Sequence, residues 1–289
     1  MDYYLAIDVG GTFIKYGKVD QDGRLFAKHQ VATPFNENKA ILNKVTEIVQ
    51  WTIADEGLPF GIGISTAGVV DTDSGQIIYA GPTIADYNGT NFKQRLETVF
   101  NVPVEVNNDV NAALLGEQWQ GAAKHEADVF CITLGTGIGG AYFHNRLVTG
   151  TSFKAGEVGY LLYDKMTQTT YEQRAATSAL QGRAEKQLGE AVDLIELFAR
   201  ARENDREANE IIDAWASDVA EGLAQIIIIL DPKLLLIGGG ISKQGDILLE
   251  KIEQHIDLFL PENYRQTEMK CTTLGNDAAL FGAISYYFK

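Results

Sequence analysis

The sequence predicts an α/β protein made of two related halves. Two glycine-threonine turns, over residues 8–12 and 134–140, each lie between two strand-like runs, one in each half of the 289-residue chain. Both regions have the alternation and the glycines that are typical of a β-turn-β unit. After the turns, stretches of helical periodicity alternate with short buried strands. This repeated order of hairpin, helix and strand is the basis of the fold prediction.

The first half is predicted to open with an antiparallel meander. Strand-like runs flank the first turn, and a second turn at residues 20–23 leads into a third strand over residues 24–31. Ile41, Val45 and Ile48 then share one face of a helix. The elements predicted after the meander are a helix over 37–56, a strand over 60–65, a helix over 91–99, a strand over 102–107 and a helix from 109 to 119.

The second half repeats this scheme around the second turn. Its predicted elements are, in order, strands over 129–134 and 140–144, a helix over 211–230, a strand over 234–237 and a helix over 276–288. The long helix has one apolar face and stops at Asp231 and Pro232. The strand after it has the continuous apolar run of a buried parallel strand and leads into three glycines, residues 238–240.

The duplication predicts two domains. We expect residues 1–112 together with 276–289 to form a smaller domain, and residues 113–275 to form a larger one. No low-complexity stretch separates them. From the duplication alone, we expect the hinge between the two domains near residues 111–117.

Composition excludes several classes of partner. With 24 Lys and Arg against 39 Asp and Glu, the net charge is −15, which disfavours nucleic acids and anionic membranes. No apolar run approaches the ~20 residues that span a bilayer, and no signal-peptide pattern precedes the first strand, so we expect a cytoplasmic protein. Cys131 and Cys271 lack metal-ligand spacing. Neither a disulfide framework nor a structural zinc site is expected.

The glycine turns suit a phosphate ligand. Glycine lets the backbone adopt positive φ and bring its N–H groups against a ligand, and the threonine hydroxyl adds a donor. Two such turns together would hold a phosphate chain, although either alone is equally consistent with an ordinary hairpin. The glycines at 238–240 form another nucleotide-compatible turn, or one that only relieves crowding between a strand and a helix.

Three carboxylates are candidates for the chemistry. Asp109 lies where a strand ends and a helix begins, which is where ligands bind in open α/β folds, and it could accept a proton from a sugar hydroxyl. The alternative is that the Asn-Asp pair only caps the helix. Glu157 and Glu172 follow the second turn and could accept hydrogen bonds from the hydroxyls of a polyol. The alternative is that both glutamates are ordinary charged residues of the protein surface.

Five motifs in order resemble the ROK family of sugar kinases, within the actin-like ATPase superfamily. They are DVGGTFIK at 8–15, NDVN at 108–111, LGTGIGG at 134–140, GEVG at 156–159 and GGGIS at 238–242. The resemblance implies two domains of ribonuclease-H-like topology around an interdomain cleft, with ATP and Mg²⁺ between the glycine hairpins and the sugar deep in the cleft. It also implies a homodimer.

The resemblance assigns roles to individual residues. Asp109 matches the catalytic base. The residues that match sugar contacts are Gly68, Thr83, Asn108, Glu157, Tyr160 and Glu172. The residues that match the ATP site are Asp8, Gly10, Gly11, Thr12, Lys15, Gly135, Thr136, Gly137, Gly239 and Gly240, the last two beside the adenosine.

Two departures from the family pattern indicate which branch of the family the chain is similar to. Tyr160 stands where most members have a histidine that touches the sugar near its anomeric hydroxyl, and an aromatic ring there could stack on a sugar or tolerate an aglycone. The family's zinc-binding cysteine cluster is missing, because no cysteine lies between Cys131 and Cys271. The chain is similar to a zinc-free branch that includes glucokinase and β-glucoside kinase-like members.

The expected function is ATP- and Mg²⁺-dependent phosphorylation of the 6-hydroxyl of glucose, or of the glucose unit of a β-glucoside. Fructose, mannose or an N-acetylhexosamine are alternative substrates. A non-catalytic, sugar-sensing ROK-like regulator is disfavoured by the negative charge and by a first strand that begins at Tyr3 with no helix-turn-helix before it. An actin-like assembly protein or chaperone ATPase is a further alternative.

Overall fold

The computed structural model describes residues 2–81 and 84–288, which form eleven strands and nine α-helices. The strands are β1 (Tyr4–Val9), β2 (Phe13–Val19), β3 (Leu25–Ala32), β4 (Ile62–Thr66), β5 (Val69–Asp71), β6 (Gln76–Tyr79), β7 (Val104–Asn108), β8 (Asp128–Leu134), β9 (Ile138–His144), β10 (Leu234–Gly238) and β11 (Glu268–Cys271). The helices are α1 (Ala40–Glu56), α2 (Phe92–Phe100), α3 (Asp109–Gln120), α4 (Tyr171–Ala175), α5 (Thr177–Leu188), α6 (Leu194–Arg202), α7 (Arg206–Leu230), α8 (Asp246–Ile256) and α9 (Ala278–Ile284).

The chain divides into two compact units. The first comprises Met1–His125, Thr149–Lys154 and Asn276–Lys289, and the second comprises Glu126–Val148 and Ala155–Gly275. Among the described residues, no helix is long and apolar enough to cross a membrane.

The first unit is built on a mixed five-stranded sheet in the order β3-β2-β1-β4-β7. The β1-β2-β3 meander is antiparallel, whereas β1, β4 and β7 run parallel. This is the arrangement of ribonuclease-H-like folds. The register pairs Asp8 with Ser65 and Thr66 with Asn108, so the carboxyl ends of three parallel strands meet at one edge. Polar side chains at that edge can therefore converge on one ligand.

Apolar residues of the first unit fill both faces of its sheet. On one face, side chains of α1 and α2 pack against β1, β4 and β7 in a core that includes Ile7, Ile48, Ile64 and Phe92. On the other face, Leu280 of α9 packs against β1 and β2. Burial of every residue of β4, and of four of the six residues of β1, explains why both strands have mostly apolar sequences.

Helices α3 and α9 cross in unusually close contact. A side-chain atom added at Gly116 would collide with the carbonyl of Ala278, and one added at Gly282 would collide with the carbonyl of Ala112. Because α3 packs along α9, it lies wholly in the first unit, which extends to residue 125 rather than 112. Residues 111–117, where the hinge is predicted, lie inside the unbroken helix α3, and the position of the hinge stays a prediction.

The second unit repeats the same plan with one strand fewer. Its sheet has the order β11-β10-β8-β9, with β8 and β9 antiparallel and β8, β10 and β11 parallel. The core lies against α7, whose Trp215 is fully buried and donates its indole N–H to the carbonyls of Ala175 and Ala176. The predicted α/β class, with a duplicated hairpin-and-parallel-strand unit, is confirmed.

Candidate active site

The first glycine-threonine turn is a tight hairpin between β1 and β2. The Gly10 N–H donates to the Phe13 carbonyl at 3.1 Å, and Thr33 Oγ1 donates to the Gly10 carbonyl at 2.7 Å. Gly11 and Thr12 are exposed at the tip, and a side-chain atom at Gly11 would meet nothing within 4 Å. The turn therefore presents an open backbone surface that a phosphate could approach closely.

Asp8 lies at the end of β1, just before this turn. Ser65 Oγ donates to its Oδ1 at 2.9 Å, and Lys15 Nζ lies 3.7 Å from Oδ2. Burial raises the pKa of Asp8, while the Ser65 hydrogen bond and the Lys15 charge oppose that rise. The sequence did not single out Ser65 as a partner, because the contact depends on the pairing of β1 with β4.

Asp109 is the first residue of α3, directly after β7. The Asn108 side-chain amide and the Val110 N–H each donate to its Oδ1 at 2.9 Å. Desolvation by the surrounding protein, and then the nearby charge of Asp8, raise the pKa of Asp109 to about 6. Perturbed carboxylates of this kind are typical of functional sites.

Asn108 is the N-cap of α3, as the capping alternative predicted. Its Oδ1 accepts from the N–H groups of Val110 and Asn111, at 2.9 and 3.2 Å. Its Nδ2 donates to the Gly68 carbonyl and to Asp109 Oδ1, both at 2.9 Å. All four hydrogen-bonding positions of this amide are thus used within the protein. Its sugar contact remains a prediction, and would require one of these bonds to be exchanged.

Gly68 is a further predicted sugar contact, and it lies near this edge. Gly68 adopts φ of +94°, and a side-chain atom there would press on the Tyr79 carbonyl at 2.7 Å. Its conformation holds its own carbonyl toward the Asn108 amide. Thr83 lies outside the described residues.

The second glycine-threonine turn lies between β8 and β9 and contacts one of the predicted glutamates. The Gly135 N–H donates to the Gly137 carbonyl at 3.0 Å. Glu172 Oε2 accepts from the Ile138 N–H at 2.7 Å, and a side-chain atom at Gly137 would collide with this carboxylate. Glycine at 137 therefore allows the carboxylate to lie against the turn. Thr136 is exposed at the tip.

Glu157 directly precedes a short 3₁₀ turn, Val158–Tyr160, of which Tyr160 is the last residue. Burial of Glu157 among neighbouring atoms, and then the charge of Glu172, raise its pKa. The two carboxylates are therefore near neighbours. Tyr160 is 61% exposed, so its side of the turn faces solvent.

A cavity of about 420 Å³ lies beside the second turn, entirely within the second unit. Its walls come from the turn itself, the first turns of α5 and α6, and the residues after β10. The lining residues are Leu134, Gly135, Thr136, Thr177, Ser178, Gln181, Leu194, Ile195, Gly240, Ile241 and Gln244. A volume of this size suits a small-molecule ligand.

Gly239 and α5 together hold the second turn against this cavity. Gly239 has φ of +88°, and an added side-chain atom would collide with the Leu134 carbonyl. Thr177 Oγ1 donates to that same carbonyl at 3.1 Å, and Ser178 Oγ donates to the Thr136 carbonyl at 2.7 Å. The glycines at 238–240 pointed to this place in the sequence, but no local pattern indicated the hydroxyls of α5.

No group of three or more His, Cys, Asp or Glu side chains is placed to hold a metal ion in the described part of the chain. Cys131 and Cys271 are not joined in a disulfide. Cys131 is buried, and Cys271 contacts the Gly245 carbonyl through Sγ at 3.9 Å. Both read as small core residues.

The predicted site residues gather into one cluster within each unit. Asp8, Gly68, Asn108 and Asp109 meet at the carboxyl edge of the first sheet. In the second unit, Glu172 contacts the second turn, and Gly239 lies against the strand that leads into it.

Comparison with known proteins identifies the family. Residues 4–288 match the ROK family. A β-glucoside kinase of Klebsiella pneumoniae is 32% identical over 98% of this chain and 95% of its own length. The solved structure of a Streptomyces griseus glucokinase with glucose and AMPPNP is 29% identical, covers 97% of each chain and has a TM-score of 0.83. A ROK hexokinase of Thermus thermophilus is 28% identical over 99% of this chain and 98% of its own, with a TM-score of 0.82. This chain belongs to the ROK family.

Proposed function

We propose that the protein transfers the γ-phosphoryl group of ATP to the 6-hydroxyl of glucose, or of the glucose unit of a β-glucoside. The observation that carries the proposal is Asp109, a carboxylate of raised pKa at the carboxyl edge of a parallel sheet. The kinase relatives and the two phosphate turns support it.

Asp109 would act as the general base. As the sugar O6 forms its bond to the γ-phosphorus, the bond from that phosphorus to the β-bridging oxygen breaks, and the hydroxyl proton passes to Asp109. The Asn108 amide and the Val110 N–H orient the carboxylate through Oδ1, which leaves Oδ2 for the hydroxyl. Positioning of this kind contributes much of the rate in phosphoryl transfer.

Magnesium fits the first cluster through Asp8. Mg²⁺ is typically bound by one or two carboxylates together with substrate phosphates, and Asp8 is a single carboxylate beside a phosphate turn. When bound, the ion would neutralise phosphate charge. The protein itself would contribute Asp8, the Lys15 ammonium and the N–H groups of the turn.

Glu157 and Glu172 would bind sugar hydroxyls in the second unit. Glu172 uses Oε2 for the Ile138 N–H, which leaves Oε1 to accept from a hydroxyl. The adenosine would occupy the cavity beside Gly239 and Gly240, whose apolar walls include Ile195 and Ile241. The phosphates would then extend toward the second turn.

A β-glucoside is favoured by Tyr160. Tyr160 is 61% exposed and ends the 3₁₀ turn that Glu157 precedes, so a group linked to a sugar held by Glu157 could stack on its ring.

A sugar panel tests the function. In a coupled assay with ATP, we expect the protein to release ADP only when a sugar is present. Release should be fast with glucose and with cellobiose, and much slower with fructose, mannose or an N-acetylhexosamine. Replacing Tyr160 with alanine should lower kcat/KM for cellobiose by about tenfold and for glucose by less than about twofold. Release of ADP that is independent of any sugar would instead support a plain ATPase.

The pH dependence tests the base. With a pKa of about 6, Asp109 is ionised above that pH and protonated below it. A base must be ionised to accept a proton, so kcat/KM for glucose should be level above about pH 7 and fall about tenfold per pH unit below about pH 6. The residual rate of Asp109→Asn should lack this acid limb. A profile that stays level down to pH 4.5 would contradict the assignment.

A further inference from the structure

Residues 161–170 form an irregular segment that joins the 3₁₀ turn after Glu157 to helix α4, which carries Glu172. The two ends of the segment meet, because the Tyr171 N–H donates to the Leu161 carbonyl at 2.8 Å. Ordering an irregular segment costs conformational entropy, so contacts within the folded protein must offset that cost.

The guanidinium of Arg174, on α4, ties the start of this segment to its end. Its Nη2 donates to the Leu162 carbonyl at 2.8 Å. Its Nη1 donates to the Thr169 carbonyl at 3.0 Å, to Thr169 Oγ1 at 3.1 Å and to the Thr170 carbonyl at 3.3 Å. The planar fork of a guanidinium can bridge several acceptors in this way, whereas the ammonium of a lysine is a point charge.

Arg174 is itself fixed on the core of the second unit. Only 19% of its side chain is exposed, and its Nη2 lies 3.9 Å from Glu221 Oε2 on α7. Tyr171, at the start of α4, is fully buried and donates its hydroxyl to the Val219 carbonyl of α7 at 2.8 Å. Helix α4 is therefore held on α7, and the segment is held on α4 through Arg174.

This arrangement determines where the two glutamates meet. Glu172 lies against the 3₁₀ turn, since a side-chain atom added at Gly159 would be 3.1 Å from Glu172 Oε2. Glu157 directly precedes that turn, and Leu162 lies just beyond it. The bond from Arg174 to the Leu162 carbonyl thus fixes the turn beside the helix that carries Glu172.

The two carboxylates repel each other when both are ionised. Burial, and then the charge of Glu172, raise the pKa of Glu157. Repulsion of this kind favours movement of the turn away from α4, which would separate two groups that must face one ligand. Groups other than the glutamates must therefore hold the turn in place.

We propose that Arg174 is a positioning residue for sugar binding, which ties residues 161–170 to α4 and so keeps Glu157 and Glu172 within reach of one sugar. The inference rests on the proposed function, which assigns the two glutamates to sugar hydroxyls. It goes further by naming the group that holds them together. Both terminal nitrogens of Arg174 are used within the protein, so it acts through the glutamates and not by touching the sugar.

Arg174→Met tests the proposal in the full-length protein. We expect glucose affinity, measured by calorimetry, to fall about tenfold and KM for glucose to rise by a similar factor, while kcat stays within about threefold. AMPPNP affinity should stay within about twofold, because the contacts of Arg174 lie in residues 162–170 and in α7. Lys165→Met removes a positive charge from an exposed side chain of the same segment, and this matched control should change neither affinity.

Three further measurements separate positioning from a general loss of structure. In Arg174→Met, the N–H groups of Asp164 and Tyr171, which donate to carbonyls across the segment, should exchange with solvent at least about tenfold faster. In a Glu172→Gln background, where the repulsion is already removed, Arg174→Met should lower glucose affinity by less than about twofold. Arg174→Lys keeps the charge and a donor for one carbonyl, so its loss of glucose affinity should be intermediate, about threefold.

The outcomes separate the inference from the proposed function. Wild-type glucose affinity in Arg174→Met, or an equal loss in the wild-type and Glu172→Gln backgrounds, would overturn the inference. So would equal losses of glucose and AMPPNP affinity, or unchanged exchange of the two amides. Glucose binding that depends on Arg174 as expected would sustain the inference even if the bound glucose were not phosphorylated, and the proposed function alone would then fail.

Discussion

Replacing Asp109 with asparagine is expected to lower turnover by about 10²- to 10⁴-fold while sugar binding is retained. Asparagine has nearly the same shape, and its Oδ1 can still accept from the Asn108 amide and the Val110 N–H. It cannot take the proton of the attacking hydroxyl. Because the substitution also removes a buried charge near Asp8, the melting temperature should be unchanged or higher.

Three measurements separate chemistry from folding in this variant. Turnover is followed by ADP release with glucose, glucose binding by calorimetry, and unfolding by scanning calorimetry. Asp73→Asn, an exposed aspartate of the same unit, is the control and should behave as the wild type does. Turnover close to wild type in Asp109→Asn would remove the proposed base and with it the mechanism.

Replacing Gly239 with alanine is expected to lower the free energy of unfolding by about 2 kcal/mol or more and to weaken ATP binding. The new methyl group would collide with the Leu134 carbonyl, and its residue would also have to keep φ of +88°. Leu134 leads directly into the second glycine-threonine turn, so relief of the collision would displace the backbone that is proposed to hold the phosphates.

Gly240→Ala is the matched control, because a side-chain atom at Gly240 would meet nothing within 4 Å. Urea unfolding and AMPPNP titration of both variants provide the comparison. Gly240→Ala should unfold within about 0.5 kcal/mol of the wild type. Equal stability of the two variants would show that the close approach at Gly239 is not a constraint.

The parts of the fold that the sequence predicted are those with strong local periodicity. The strands around both turns and the long helix α7 each have an apolar pattern that matches their burial. The helices α4 to α6 and α8 were not predicted. Helix α5, for example, buries only Leu180 and Ala184, too few apolar positions to mark a face without knowledge of the helix beside it.

The candidate site divides in the same way. Asp8 and Asp109 could be placed from the sequence, because Asp8 lies at the end of one strand, Asp109 directly follows another, and the carboxyl ends of parallel strands meet. The partners that set their chemistry could not be found, since Ser65 reaches Asp8 only through strand pairing. The side-chain amides of Gln181 and Gln244, which line the cavity, are hydrogen-bonded to Glu185, Val192 and Arg202. No spacing in the sequence predicts these partners.

The close crossing of α3 and α9 has a consequence for the order in which the chain folds as it is synthesised. Residues 276–288 follow every residue of the second unit, yet α9 supplies part of the core of the first. Trp119 of α3 packs against Phe281 and Phe288, so this packing can form only after those two residues have been synthesised. During translation, the second unit can thus be complete while the face of the first sheet that α9 covers is still open to water. The first unit therefore begins to be synthesised before the second, but its core is completed after it.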